Sequence, residues 1–379
     1  MSNDIQLKEM LNRFAEIAEN PKTQFLRYIK DGKKIVLTAP EYTPAELIHS
    51  LGMVPFGAWG ADIALGKSKQ YFPAFICSIL QSVLELGMRG TYEGASAIVI
   101  PSFCDSLKAM GENWKYAVPG IPFVPMVYPQ NRKIPAAKAF TVASYMKVAK
   151  ELSETGGNLF LDASLQKSIN LYNKHNVLMR KLDLLISGNP VITPSVRSLF
   201  YKSAFFTTVE EHIALLKELI GILQKYDECD GAPKKIRIVT SGILTDSPSL
   251  LEALTFNGFQ IVADDVAAES RQYFTDAPKG EDALLRLAEK YCAMEDCSLL
   301  YDPEKKRIER LIKIAKDRKA DGVLLILTKF CDPEEYDIPF ISKRCKEAEL
   351  PFTLIEVDRQ MTEYAQARTA IEAFREMIS

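Results

Sequence analysis

The sequence lacks an excess of charge of either sign: Lys and Arg number 47 against 49 Asp and Glu, with no long block of one kind. The field that nucleic acid or an anionic lipid surface requires is missing, so neither partner is expected. Long apolar runs are missing too; stretches such as "GVLLIL" fall far short of the ~20 residues that cross a bilayer. The opening MSNDIQLKEM has no basic segment leading into an apolar one, which predicts a cytoplasmic protein with no membrane association.

Several short motifs are also absent. There is no C-x-x-C, so any metal cluster must be assembled from distant parts of the chain. There is no G-x-G-x-x-G, which argues against a nicotinamide dehydrogenase. Histidine occurs only at His49, His175 and His212, and no Ser/His/Asp or Cys/His set is visible, so no catalytic acid or base is assigned. "ADIALGKS" (61–68) imitates a phosphate-binding loop. Its interior is apolar, however, and Pro73 follows too soon for the helix that such a loop must feed, so a surface loop is expected.

What is present is an alternation of strand-like and helix-like segments. "KKIVLTAP", a helix from Thr43 to Leu51 capped by Gly52, "MVPFGAW", a helix from Pro73 to Leu86 carrying Cys77, "SAIVI", a helix to Tyr116 and "PFVPMVY" follow one another. From Ala137 to Tyr226 the pattern is helical throughout. It then reverts to alternation through "KKIRIVTSG", "PSLLEALTFNG", "FQIVA", helices from Glu281 and Lys305, "GVLLILT" and "PFTLIEVD". Such alternation predicts an α/β fold of two doubly wound parallel sheets, of the Rossmann or flavodoxin-like kind. The division is an N-terminal α/β domain (1–136), a helical connector (137–230) and a C-terminal α/β domain (231–379). Four segments of the first half match four of the second in the same order, "KKIVLTAP" with "KKIRIVTSG" and "SAIVIPSFCD" with "GVLLILTKFCD" among them, which predicts an internal duplication.

Phe-Cys-Asp thus occurs twice, each time after an aliphatic run: Phe103-Cys104-Asp105 and Phe330-Cys331-Asp332. In open α/β sheets ligands sit beyond the carboxyl ends of the strands, where both cysteines fall. Cys77, near a helix start, is able to supply a third thiolate, and thiolates favour zinc or iron-sulfur clusters. The structural alternative is that free cysteine is a small buried apolar residue. That reading is preferred for Cys229, Cys292, Cys297 and Cys345.

The segments "ILTKFCDPEEYDIPFI", "IPSFCD" and "PAFICSILQSVLELG" resemble the 2-hydroxyacyl-CoA dehydratase family, which includes the B and C subunits of benzoyl-CoA reductase. The likeness is greatest to the β subunit of (R)-2-hydroxyglutaryl-CoA dehydratase and extends over nearly the whole chain. It implies a 4Fe-4S cluster on Cys77, Cys104 and Cys331 with one iron left open. It implies a homologous α subunit carrying the acyl-CoA substrate, and an ATP-hydrolysing iron-sulfur activator whose electron this chain relays for radical elimination of water. FMN is allowed by the resemblance. Asp105 and Asp332 are expected to bring negative charge near the cluster. The rival readings are a benzoyl-CoA reductase-like or double-cubane-cluster reductase subunit, and a two-lobed α/β protein that binds a small ligand in its cleft.

Overall fold

The computed structural model describes residues 3–39, 41–225, 235–361 and 364–378. Eight strands are found among them: β1 (Ile35–Thr38), β2 (Val54–Gly57), β3 (Ala97–Pro101), β4 (Phe123–Met126), β5 (Ile236–Gly242), β6 (Phe259–Val266), β7 (Gly322–Thr328) and β8 (Phe352–Val357). They form two four-stranded sheets, ordered β2-β1-β3-β4 and β6-β5-β7-β8, and every pairing is parallel. The two orders are the same, as duplication requires, and each matched pair of segments falls on equivalent strands.

A parallel sheet is covered on both faces, so its inner strands must be apolar on both. Every residue of β3 and β7 is buried accordingly. Alternate residues then serve opposite cores. Val36, Ala97, Val99 and Val124 face one layer of helices, while Ile35, Leu37, Ile98 and Ile100 face the other. The second sheet divides in the same way, Val323 and Leu325 on one side, Leu324 and Ile326 on the other. Pro55 and Pro125 lie in β2 and β4, the edge strands of the first sheet, where a missing N–H is tolerated.

Between the sheets run the helices Ala136–Glu154, Asp162–Ile186, Pro194–Ser203 and Val209–Leu223. The last begins with a capping box of Thr208 and Glu211. The first helix of the chain, Asn3–Glu19, packs Leu7, Met10 and Phe14 into this group, against Met179, Phe200 and Leu216. No helix among the described residues is long and apolar enough to cross a membrane.

Arg359, just past β8, clasps the two halves. Its guanidinium donates to Asp62 (2.8 Å) and Asp246 (2.7 Å), and its backbone N–H donates to Ser78 Oγ (3.0 Å). The carboxyl edges of the two sheets are thereby brought to a common cleft.

Candidate metal centre

In both sheets the order of strands reverses direction at the first strand, between β1 and β3 and between β5 and β7, which is where open α/β sheets bind ligands. The loops leaving β3 and β7 carry the two Phe-Cys-Asp triplets. Cys104 immediately precedes the helix Asp105–Ala117, and Cys331 precedes the short helix Asp332–Glu335. Cys77 precedes the helix Ser78–Met88. That helix starts later than the expected Pro73, because Pro73–Ile76 forms a turn, Ile76 N–H donating to Pro73 O (3.3 Å), and Cys77 keeps a non-helical ψ of 136°. The three cysteines therefore share one local design, a thiol at the entry of a helix.

All three line one cavity of about 50 Å³, whose remaining wall is mainly Ile79, Leu80, Leu107, Ile243, Leu299 and Phe330. Burial in this apolar setting pushes the Cys77 thiol up to about 11 and the Cys104 thiol up to about 12, and it raises Cys331 as well. Neighbouring Cys77 adds to the shift at Cys331, and the first-turn N–H groups of each helix partly oppose it. The free thiols are thus protonated, and a bound cation is what would favour their thiolates. Among the described residues no three His, Cys, Asp or Glu side chains converge on a point suited to a single metal ion.

The Cys331 loop is held by charge. Phe330 adopts a left-handed φ of 63°, which turns the chain sharply between β7 and Cys331. Three residues on, Glu334 is fully buried and accepts from Arg307 (2.8 Å), Arg271 (3.4 Å) and Ser298. Asp265 of β6 accepts from the same two arginines, each at 2.9 Å, and Asp337 accepts from Arg307 at 2.9 Å. The acid in "KFCDPE" is thus the anchor of the loop.

Asp105 and Asp332 lie on the rim of the thiol cavity and face solvent; Asp105 is 99% exposed and pairs with Lys108 (3.1 Å). The acid inside is Glu41, which sequence reading missed. It follows β1, is 4% exposed, and its Oε1 has no hydrogen-bond partner. Burial holds its carboxyl up at about 8, with Arg271 pulling the other way and Glu334 adding to the rise. Glu41 also lines a second cavity of about 130 Å³, which contains the buried pair Lys290–Glu46 (2.6 Å) and the rings of Tyr42, Tyr128, Tyr145 and Tyr291. Phe103 stacks on Tyr128 there, ring centroids 4.7 Å apart.

The other expected features resolve simply. Cys297 and Cys345 are buried in apolar clusters and Cys292 packs against one, while Cys229 lies outside the described residues. In "ADIALGKS" the N–H groups of Gly66 and Ser68 donate to Glu85 (3.1 and 2.8 Å), so the chain's own carboxylate occupies them, and a single 3-10 turn follows in place of a helix. His175 and His212 form a buried chain with Ser203, at 2.7 and 3.0 Å; Ser203 is fully buried and donates to Phe200 O, and His175 also lines the cavity of about 130 Å³. None of the three histidines lines the thiol cavity.

A family model described as 2-hydroxyglutaryl-CoA dehydratase, D-component, matches residues 40–378. The chain is 44% identical to the (R)-phenyllactyl-CoA dehydratase beta subunit of Clostridium sporogenes, covering 98% of this chain and 99% of that one. It is 35% identical to the lactoyl-CoA dehydratase subunit beta of Anaerotignum propionicum and 34% identical to the (R)-2-hydroxyglutaryl-CoA dehydratase subunit beta of Acidaminococcus fermentans, in each case over 98% of this chain and 100% of the relative. With that coverage and with helix-entry cysteines at matching sheet edges, the chain belongs to the 2-hydroxyglutaryl-CoA dehydratase D-component family.

Proposed function

We propose that the chain is the β subunit of an iron-sulfur 2-hydroxyacyl-CoA dehydratase, with Cys77, Cys104 and Cys331 holding a 4Fe-4S cluster. The observation that carries this reading is the meeting of three helix-entry thiols from two sheets in one apolar cavity. The donor set fits the group: the three thiols share one cavity, and soft thiolates are the donors of iron-sulfur centres. When bound, the cluster would supply one-electron chemistry, which a 2-hydroxyacyl thioester needs because the proton to be lost is unactivated.

The residues on this chain serve that group by position. Apolar side chains exclude water from the thiols, and the helix starts present N–H groups to anionic sulfur. The Glu334–Arg307–Asp265 network fixes Cys331 relative to β6. Of the acids that line the thiol cavity only Glu41 is buried; turnover is assigned to a partner α subunit that binds the acyl-CoA, while this chain passes an electron from an ATP-dependent activator. The proposal is not extended to FMN.

Among substrates, the (R)-2-hydroxyglutaryl ester is one candidate, and the higher identity to a phenyllactyl-CoA relative supports an aryl ester beside it. The first test is anaerobic reconstitution with iron and sulfide. Ser at Cys77, Cys104 or Cys331 is expected to abolish iron-sulfur absorbance, whereas Cys345→Ala is expected to keep it. Full iron content in all three Ser variants would overturn the ligand set. Assays with the α subunit, activator and ATP against phenyllactyl, lactoyl and 2-hydroxyglutaryl esters then decide the substrate, and turnover by this chain alone would overturn the relay role.

A further inference from the structure

The structure assigns Arg359 as the positioning residue that sets the spacing of Cys77 and Cys331 across the thiol cavity; what that spacing does for a cluster rests on the reading above. Cys77 belongs to the first half of the chain and Cys331 to the second, and a short path of hydrogen bonds joins them through the loop after β8. Ser78, the residue after Cys77, accepts from the backbone N–H of Arg359 at 3.0 Å. Two residues before Arg359, Val357 O accepts from Lys329 N–H at 2.9 Å, and Cys331 lies two residues beyond Lys329. Two hydrogen bonds therefore link the two thiol-bearing loops, and Arg359 makes the one that crosses between the halves.

The side chain holds that crossing bond in place. Its guanidinium forks to Asp62, which follows β2, and to Asp246, which follows β5, so one cation grips an acid from each half. Its carbonyl accepts from Ile63 N–H at 3.1 Å. Arg359 is 7% exposed and Ser78 only 2%. Charge-assisted hydrogen bonds are roughly twice as strong as neutral ones, and little solvent reaches these to compete, so the loop has one preferred place. Lysine, a point charge, cannot reproduce such a fork.

The other buried ion pairs do not perform this task. Arg307, Arg271, Asp265 and Glu334 all belong to the second half, so they fix Cys331 only within its own sheet. Arg132 does cross, donating to Met294 O (2.9 and 2.7 Å) and to Glu295 (3.1 Å), yet neither it nor these partners line the thiol cavity. Loss of Arg359 is therefore expected to part the halves at the thiols while Arg132 keeps them joined elsewhere. Asp246 retains Lys202 (3.2 Å) and Asp62 retains Ser247 (2.8 Å), so neither acid is left bare and each half keeps its fold.

The test uses the full metal-free chain, with circular dichroism to confirm folding, and follows iodoacetamide modification of each cysteine by mass spectrometry. Buried Cys345 serves as the internal reference. In Arg359→Ala, modification of Cys77 and Cys331 is expected to be about tenfold faster than in wild type, with Cys345 unchanged. Arg359→Lys is expected to rescue only part of the effect, and Ser78→Ala, which removes the acceptor alone, to speed Cys77 more than Cys331. Leu216→Ala in the helical core lowers global stability without touching the clasp, and is expected to speed all the cysteines together. Unchanged rates at Cys77 and Cys331 in R359A would overturn the assignment, as would a rise at Cys345 equal to that at Cys77, the mark of a merely structural role. After anaerobic reconstitution, a chelator is expected to remove iron from R359A about tenfold faster than from wild type. Failure of the wild-type chain to take up iron would overturn the cluster reading alone, since the alkylation rates decide the role of Arg359 without metal.

Discussion

The two sheets share a strand order and a Phe-Cys-Asp triplet, yet their triplets are held in opposite ways. In the first half Phe103 stacks among tyrosines, and Cys104 lies in a half-buried, mainly apolar setting. In the second half Phe330 lines the thiol cavity itself, and the loop is secured by Glu334 within a buried array of arginines and acids. The first half contributes two thiols and the inward acid; the second contributes one thiol and the charged anchor. A duplicated scaffold places equivalent loops at equivalent edges, and divergence of a few side chains then makes the two sides of one cavity chemically different.

The largest expected effect breaks the anchor on one side only. Glu334→Ala leaves Arg307 and Arg271 buried with fewer acids, and removing one partner from such a network costs about 3–5 kcal/mol. Urea unfolding of the metal-free chain is expected to show that loss, whereas Phe103→Leu on the other side is expected to cost less. Equal losses would show that the two triplets are held alike.

A smaller effect separates both sheets from the helical middle. Burial pushes His175 down to about 3, with Lys290 adding to the shift, and His212 is lowered too. A base whose folded pKa is depressed binds a proton more readily when unfolded, so its contribution is intact above about 6.5, the ordinary value, and is lost as pH falls toward 3. For His175 alone the loss is about 2 kcal/mol by pH 5. Denaturant titrations from pH 7 to 5 are expected to show it, and His175→Gln is expected to flatten the curve. An unchanged slope in that variant would place the acid sensitivity elsewhere.

The smallest effect is at the rim. Asp105→Asn removes an exposed charge whose partner, Lys108, is also largely exposed, and such pairs contribute little. Iron content and unfolding midpoint are expected to stay within error of wild type. A clear loss of iron would return Asp105 to the site and weaken the contrast with buried Glu41.

Much of this was legible in the chain because it is local. Fully apolar runs such as "GVLLILT" mark two-sided strands, and the repeated order of segments and the two Phe-Cys-Asp triplets need no knowledge of distant contacts. The start of the Ser78–Met88 helix was misplaced, since Pro73 suits a first helical turn and a simple turn equally well. The apparent phosphate loop was discounted from its apolar interior; the structure adds Glu85, about twenty residues away and about two turns into the helix Ser78–Met88, as the group that takes up its N–H donors.

By itself, then, the sequence determined the strands, the duplicated order and the two cysteines at strand ends, because hydrophobic period and turn chemistry act over a few residues, while the place of Cys77 at a helix entry came from the structure. Tertiary structure alone decided which acid faces the thiols. Asp105 and Asp332 adjoin cysteines in sequence but sit on the first turn of helices that point them outward, whereas Glu41 is brought inward by a strained turn beside β3 and is influenced by Arg271 and Glu334. Burial and electrostatic environment depend on which segments meet in space, and for Glu41 those segments are separated by more than half the chain.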